Sequence, residues 1–268
     1  MVYRSGYFAN RRGARLFAVE ERPDSDASRA WIICSPLFEE KNVAHGALVT
    51  LCRALVGAGA KAIRIDYEGH GDSDGDTAQT GLSEWTDDVC EAVEHVRADG
   101  ARHVTLMGCR AGALIAAAAA ARAGADRLVC WCPTYKGLDH LHELLRLNLT
   151  TQMSVYKKVQ HDRDALVAAL AGGGSVNLIG WNIGRAVLES LSSLNLPDLT
   201  RQLTCPVDIF DLVRKTGDTP AAAADFASQP ARFHGVQGMQ FWLDGNFIDH
   251  EQTALVQATV GLLGAPAA

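Results

Sequence analysis

No apolar run in this 268-residue sequence reaches the ~18 residues that a membrane-spanning helix needs. Residues 113–123 come nearest, and Arg122 interrupts them. Clustered positive charge is also missing. The formal charge is −6, and the richest basic patch is Arg11-Arg12 with Arg15. Nucleic acids and anionic membranes select for clustered cations, so neither is expected as the main partner. The seven cysteines, at positions 34, 52, 90, 109, 130, 132 and 205, form no metal-type C-x-x-C pair. The first residues lack the charged and apolar regions of a secretory signal. We therefore expect reduced thiols in a cytoplasmic protein, with no metal and no cofactor. The length fits one large α/β domain, or a core with an inserted subdomain.

The stretch from Val104 to Ile115 organises the chain. An apolar, β-branched run breaks at Gly108 and resumes as an alanine-rich helix. This is the strand–turn–helix layout of a nucleophile elbow, with the two glycines at G-x-Nuc-x-G spacing. The central residue is Arg110. A guanidinium is always protonated and has no lone pair to offer a carbonyl carbon. The socket for a nucleophile is present without the nucleophile, which excludes the usual acyl-enzyme route through this position.

Around this stretch the pattern alternates. A hairpin is expected about the Asn10-Arg11-Arg12-Gly13 turn, then a strand over residues 30–34 that stops at Ser35-Pro36. A loop over 35–42 leads to a helix over 43–57. The next strand, 61–66, ends in the turn Asp66-Tyr67-Glu68-Gly69-His70-Gly71-Asp72-Ser73, where His70 reads as structural. A helix over 82–97 carries Thr86-Asp87-Asp88 on its outer face. Residues 128–133 form the next strand. This order predicts a parallel, doubly wound sheet. Residues 134–204 break the rhythm with helical segments at 138–148, 162–171 and 182–194 and a short strand at 175–180. Strands at 207–213 and 239–242 and a helix at 253–263 complete the chain. Three parts result: a first core part at 1–133, a helical cap at 134–204 and a second core part at 205–268.

The chain resembles an α/β-hydrolase of the serine aminopeptidase-like group. Within it, the chain is similar to the exosortase A system-associated hydrolases of the second type. Four segments carry the resemblance: Pro36-Leu37-Phe38-Glu39-Glu40-Lys41-Asn42, Gly108-Cys109-Arg110-Ala111-Gly112, Leu144-Leu145-Arg146-Leu147-Asn148-Leu149 and Ile179-Gly180-Trp181-Asn182-Ile183. It implies the α/β-hydrolase fold, a mostly parallel doubly wound sheet with a helical cap inserted after the sixth strand. It also implies that the Glu39-Glu40 loop is typical and that arginine commonly replaces serine at the elbow. Cys109 and the C-terminal segment depart from the family's pattern.

Chain order gives the remaining candidates. The triad acid is expected after the strand at 207–213, as Asp211 or Asp218. The histidine is expected before the final helix as His250, with His234 a rival. Two residues could replace the missing serine. Arg110 would favour a thiolate at Cys109, although adjacent strand-end residues point to opposite sides, as a buried inert cysteine would. Ser35 is the other, unless it is only the turn residue before Pro36. Ser35, Leu37, Phe38, Glu39 and Glu40 are expected to line the substrate pocket. The two glutamates either cap a helix in solvent or face Arg110.

Three functional readings follow. The first is an enzyme on an ester, thioester or related acyl group, free or carrier-bound, with Arg110 anchoring an anion and His250 as base. The second is an inactive hydrolase-fold protein that binds an acidic metabolite or acyl carrier through Arg110. In the third, Arg110 is locked in an ion pair with Glu39 or Glu40. A homodimer is left open.

Overall fold

Continuous apolar strands with no polar alternation must be covered on both faces, which places them at the centre of a parallel sheet. The computed structural model describes residues 1–226, 229, 231–243 and 252–264. In it the chain opens with β1 (Val2–Ala9) and β2 (Arg15–Arg22), an antiparallel hairpin. Next come β3 (Arg29–Cys34), α1 (Glu39–Gly57), β4 (Lys61–Ile65), α2 (Leu82–Ala98), β5 (His103–Cys109), α3 (Gly112–Ala123) and β6 (Arg127–Trp131). An insert follows: α4 (Gly137–Tyr156), α5 (Arg163–Ala171), the hairpin β7 (Val176–Leu178) and β8 (Trp181–Ile183), α6 (Arg185–Ser193) and α7 (Leu196–Thr200). The core resumes with β9 (Val207–Val213), β10 (Ala231–Gln237) and α8 (Thr253–Val260).

The eight-stranded sheet has the order β1-β2-β4-β3-β5-β6-β9-β10, parallel from β4 onward. Successive side chains alternate between faces. Ile32, Leu106 and Leu128 pack with Trp85, Val89, Leu114 and Ile115 of α2 and α3. Trp31, Met107 and Val129 pack on the other face with Leu48, Leu51 and Leu55 of α1 and Leu255 of α8. Full burial of a side chain of this size contributes about 1.5–3 kcal/mol relative to exposure. Among the described residues, no helix is long and apolar enough to cross a membrane.

Three local expectations are corrected. Helix α1 begins at Glu39 rather than at residue 43, so Glu39 and Glu40 form its first turn. Carboxylates are favoured there by the helix dipole, and reading from the first apolar residue missed them. Among the described residues the last strand is β10, not 239–242. As an edge strand it carries polar residues such as Arg232 and His234 that mask its pattern, while Phe241 and Trp242 are buried beyond its end. Thr86 and Asp88 are buried rather than on the outer face of α2. The Asp88 carboxylate accepts from Asn10 at 3.1 Å, the Glu68 amide at 2.7 Å and Arg12 at 2.8 Å.

Candidate active site at the Arg110 turn

Two glycines let β5 and α3 meet at a sharp turn. A Cβ at Gly108 would collide with the Ala113 backbone, and one at Gly112 would collide with the carbonyl oxygens of Cys34 and Ser35. Between them Arg110 is held at φ 53°, with its amide on the Trp131 carbonyl at 3.0 Å. Phe38 at the start of α1 has φ 55°, and Cys132 after β6 has φ 43°. Left-handed backbone at a non-glycine residue costs about 1–2 kcal/mol. Such strain concentrates at functional sites, and here two further strained residues lie near one side chain, Phe38 in the same cleft and Cys132 through its carbonyl.

That side chain is the Arg110 guanidinium. Its Nε donates to both carboxylate oxygens of Glu40, at 3.2 and 3.3 Å. Its Nη2 donates to Glu40 at 3.0 Å and to Glu143 of α4 at 2.9 Å, and Nη1 reaches the Cys132 carbonyl at 3.3 Å. The ring of Trp242 lies 4.4 Å from the guanidinium carbon. Arg110 is 8% exposed. Burial opposes its charge, but Glu40 and Glu143 outweigh that, and its pKa is raised. Burial likewise pushes the Glu40 carboxyl above its ordinary range, against the pull of Arg110.

These groups line a cleft of about 550 Å³ between the sheet's carboxyl end and α4. Leu37, Phe38, Glu39 and Glu40 line it from the start of α1, His140, Glu143, Leu144, Arg146, Leu147 and Thr150 from α4, and Trp242 and Leu243 from beyond β10. Among the described residues, the backbone N–H groups of Leu37, Phe38 and Ala111 meet no acceptor. His140 is 3% exposed, and neither of its ring nitrogens has a hydrogen-bond partner among the described residues. Burial pushes its pKa down to about 4, with Arg110 adding to the effect, so the ring is neutral.

The expected site residues fall into two groups. Leu37, Phe38, Glu39, Glu40 and Arg110 share the cleft, and Glu40 is the partner of Arg110. Glu39 instead accepts from Asn42 at 3.4 Å. Ser35 is buried, its carbonyl accepting from the Tyr67 hydroxyl at 3.1 Å. Cys109 points into the core beneath the turn and is fully buried. Burial drives its thiol pKa well up, the opposite of an activated thiolate. Asp211 accepts from the Tyr135 hydroxyl at 3.0 Å, and burial raises its pKa. Asp218 is exposed on the loop between β9 and β10. His234 is bound to Asp208 at 2.9 Å and stacked on Phe210, away from the cleft. His70 is enclosed by Phe38, Tyr67, Trp85 and Trp181. His250 lies outside the described residues.

Sequence reading missed His140, Glu143 and Trp242. A signal existed for the first two: His-x-x-Glu in a helical segment puts both side chains on one face.

Comparison with solved structures agrees with this architecture. Est1E from Butyrivibrio proteoclasticus with bound ferulic acid superposes with a TM-score of 0.68 at 18% identity, over 96% of this chain and 97% of that one. The esterase EaEST from Exiguobacterium antarcticum gives 0.66 at 14% identity, over 98% and 100%. The esterase domain of a Rhodothermus marinus protein gives 0.58 at 19%, over 97% of each chain. The fold is the α/β-hydrolase fold. At these identities the likeness establishes the fold alone. The family described as serine aminopeptidase, S33, matches residues 43–171, from α1 to the end of α5. No curated protein sequence matches this chain.

Proposed function

We propose that the protein hydrolyses an ester, thioester or related acyl bond by direct attack of water, without an acyl-enzyme intermediate. The observation that carries this is the turn itself. Arg110 stands at the centre of the elbow-like turn, where a serine would act, and the turn opens onto a cleft large enough for a small acyl group. Ala111 follows Arg110 in the chain and Leu37 lines the same cleft, and the amides of both meet no acceptor among the described residues. Paired amides at this place are what a tetrahedral oxyanion requires. The insert at 134–204 acts as a cap over the cleft, and α4 supplies its inner wall. His250, from the segment before α8, serves as base. Two solved structures of the same fold are named as esterases, which agrees with this reading, as do the apolar side chains Leu144 and Leu147 for the acyl chain.

The test is steady-state hydrolysis of short p-nitrophenyl esters and thioesters by wild type, Leu147→Trp and His250→Ala. Turnover that falls at least tenfold in both variants supports the assignment. Turnover unchanged in Leu147→Trp refutes the cleft as the site.

A second reading has one observation in its favour. Arg110 is already bonded to two carboxylates, as in a protein whose elbow arginine is locked in an internal ion pair and serves only to hold the loop. In that case wild type releases no product from the ester, and Arg110→Met lowers stability without changing any ligand affinity.

A further inference from the structure

In the water-based reading His250 takes the proton, and a bound cation would make that proton easier to remove. His140 and Glu143 are three residues apart on α4, so they share a helical face, and Glu40 faces them from the first turn of α1. One donor atom from each of these three residues lies within 4.8 Å of the other two. His140 supplies the second, independent observation. Its ring is buried, both nitrogens are unpartnered among the described residues, and Nδ1 is aimed at the Glu40 carboxylate from 3.9 Å. That distance is too long for a hydrogen bond. A buried polar ring with no partner is not explained by packing.

We propose that Glu40, His140 and Glu143 form a binding site for one zinc-type divalent cation. One imidazole and two carboxylates are a mixed nitrogen–oxygen set, suited to Zn²⁺ and, second, to Mn²⁺ rather than to Mg²⁺ or Ca²⁺, which favour oxygen donors alone. Three protein donors leave a position for water. The single charge of Arg110 faces two carboxylates, so the cluster keeps a net negative charge, with Glu39 beside it. A dication that takes Glu40 and Glu143 from Arg110 leaves the guanidinium over Trp242 and on the Cys132 carbonyl. It is then available to an acyl oxygen or a substrate carboxylate.

As a catalytic statement this rests on the proposed hydrolysis. The cation lowers the pKa of its water. The water oxygen bonds to the acyl carbon, the bond from that carbon to the leaving oxygen or sulfur breaks, and one water proton ends on the leaving group.

The test is calorimetric titration of tag-free protein with ZnCl₂, and then with MnCl₂, on wild type, Glu143→Gln, His140→Gln and Arg110→Met. Wild type should take one Zn²⁺ per chain. Affinity should fall by at least about 10-fold in both Glu143→Gln and His140→Gln, since losing a direct ligand costs no less than losing a group that only orients one, and should rise in Arg110→Met, where the competing charge is gone. Co²⁺ bound to wild type should show a visible absorption band that Glu143→Gln alters. Glu143 is half exposed, so its variant carries the test if His140→Gln fails to fold. Absence of stoichiometric binding, or binding unchanged in Glu143→Gln, overturns the proposal. Zinc bound without any ester turnover keeps the site and refutes hydrolysis. Ester turnover untouched by full chelation keeps hydrolysis and refutes a metal role.

Discussion

Replacing Arg110 by methionine keeps a long side chain in the cleft and removes the charge that two carboxylates share. Glu40, with its side chain 16% exposed, would lose its only cationic partner among the described residues. Leaving one member of a buried pair uncompensated costs about 3–5 kcal/mol. Glu143 is 50% exposed, and its loss adds about 0–1 kcal/mol. Against a typical total of about 5–15 kcal/mol, Arg110→Met is expected to lower stability by roughly 3–5 kcal/mol at pH 7. The assay is urea unfolding followed by tryptophan fluorescence. The midpoint should fall by about 1 M or more, given a slope of about 3 kcal/mol per M. Burial already raises the Glu40 pKa beside Arg110, and without Arg110 the carboxyl will bind a proton more readily. A carboxyl with a raised folded-state pKa costs stability above that pKa and is relieved below it. The gap between wild type and variant should therefore narrow as the pH falls from 7 to 5. Arg110→Met with Glu40→Gln should recover most of the loss. A single variant within about 0.5 kcal/mol of wild type would refute the claim that Arg110 holds α1 to the turn.

Gly112→Ser would drive a Cβ into the carbonyl oxygens of Cys34 and Ser35. Overpacking of this kind costs about 1–3 kcal/mol, and the melting temperature should drop by about 2–4 °C per kcal/mol. Asp208 is fully buried and bonded to Arg127, Arg232 and His234. Burial raises its pKa, but these three partners outweigh it and the net shift is downward. Its contribution is present above the unfolded value of 3.8 and lost as the pH falls through the lower folded value. Acid titration of wild type and Asp208→Ala should converge in stability below that range, while at pH 7 the variant is about 3–5 kcal/mol weaker. Thiol titration of the native protein should label Cys90 and Cys205, which are partly exposed, and spare Cys109 and the other four buried cysteines until urea is added. Rapid labelling of Cys109 in the native state would contradict its burial.

The parallel sheet and the insert were legible because they rest on long, unambiguous patterns. Residues 31–34 and 128–131 are apolar without alternation, and the helix expected at 138–148 shows clear periodicity. The turn at Arg110 was legible from its two glycines, since small residues are what the close approach to Ala113 and Ser35 requires. The choice between Glu39 and Glu40 was not legible. It depends on where α1 begins, and the dipole draws both carboxylates into a first turn that apolar periodicity does not mark. Asp88 looked like an outer-face residue because its partners, Asn10 and Arg12, lie about 80 positions away and meet it only in the folded sheet. Trp242 was taken for a strand residue for a similar reason. Its burial comes from stacking over Arg110 and packing on Phe241, a tertiary contact that local pattern does not carry.

The most direct measurement is intact-protein mass spectrometry of wild type after incubation with an activated short-chain ester and, separately, with a fluorophosphonate. Direct attack by water at the Arg110 turn predicts an unmodified mass in both samples, together with released acid in the ester sample. A stoichiometric adduct on any serine or cysteine, mapped by proteolysis, would contradict the account and restore a covalent mechanism.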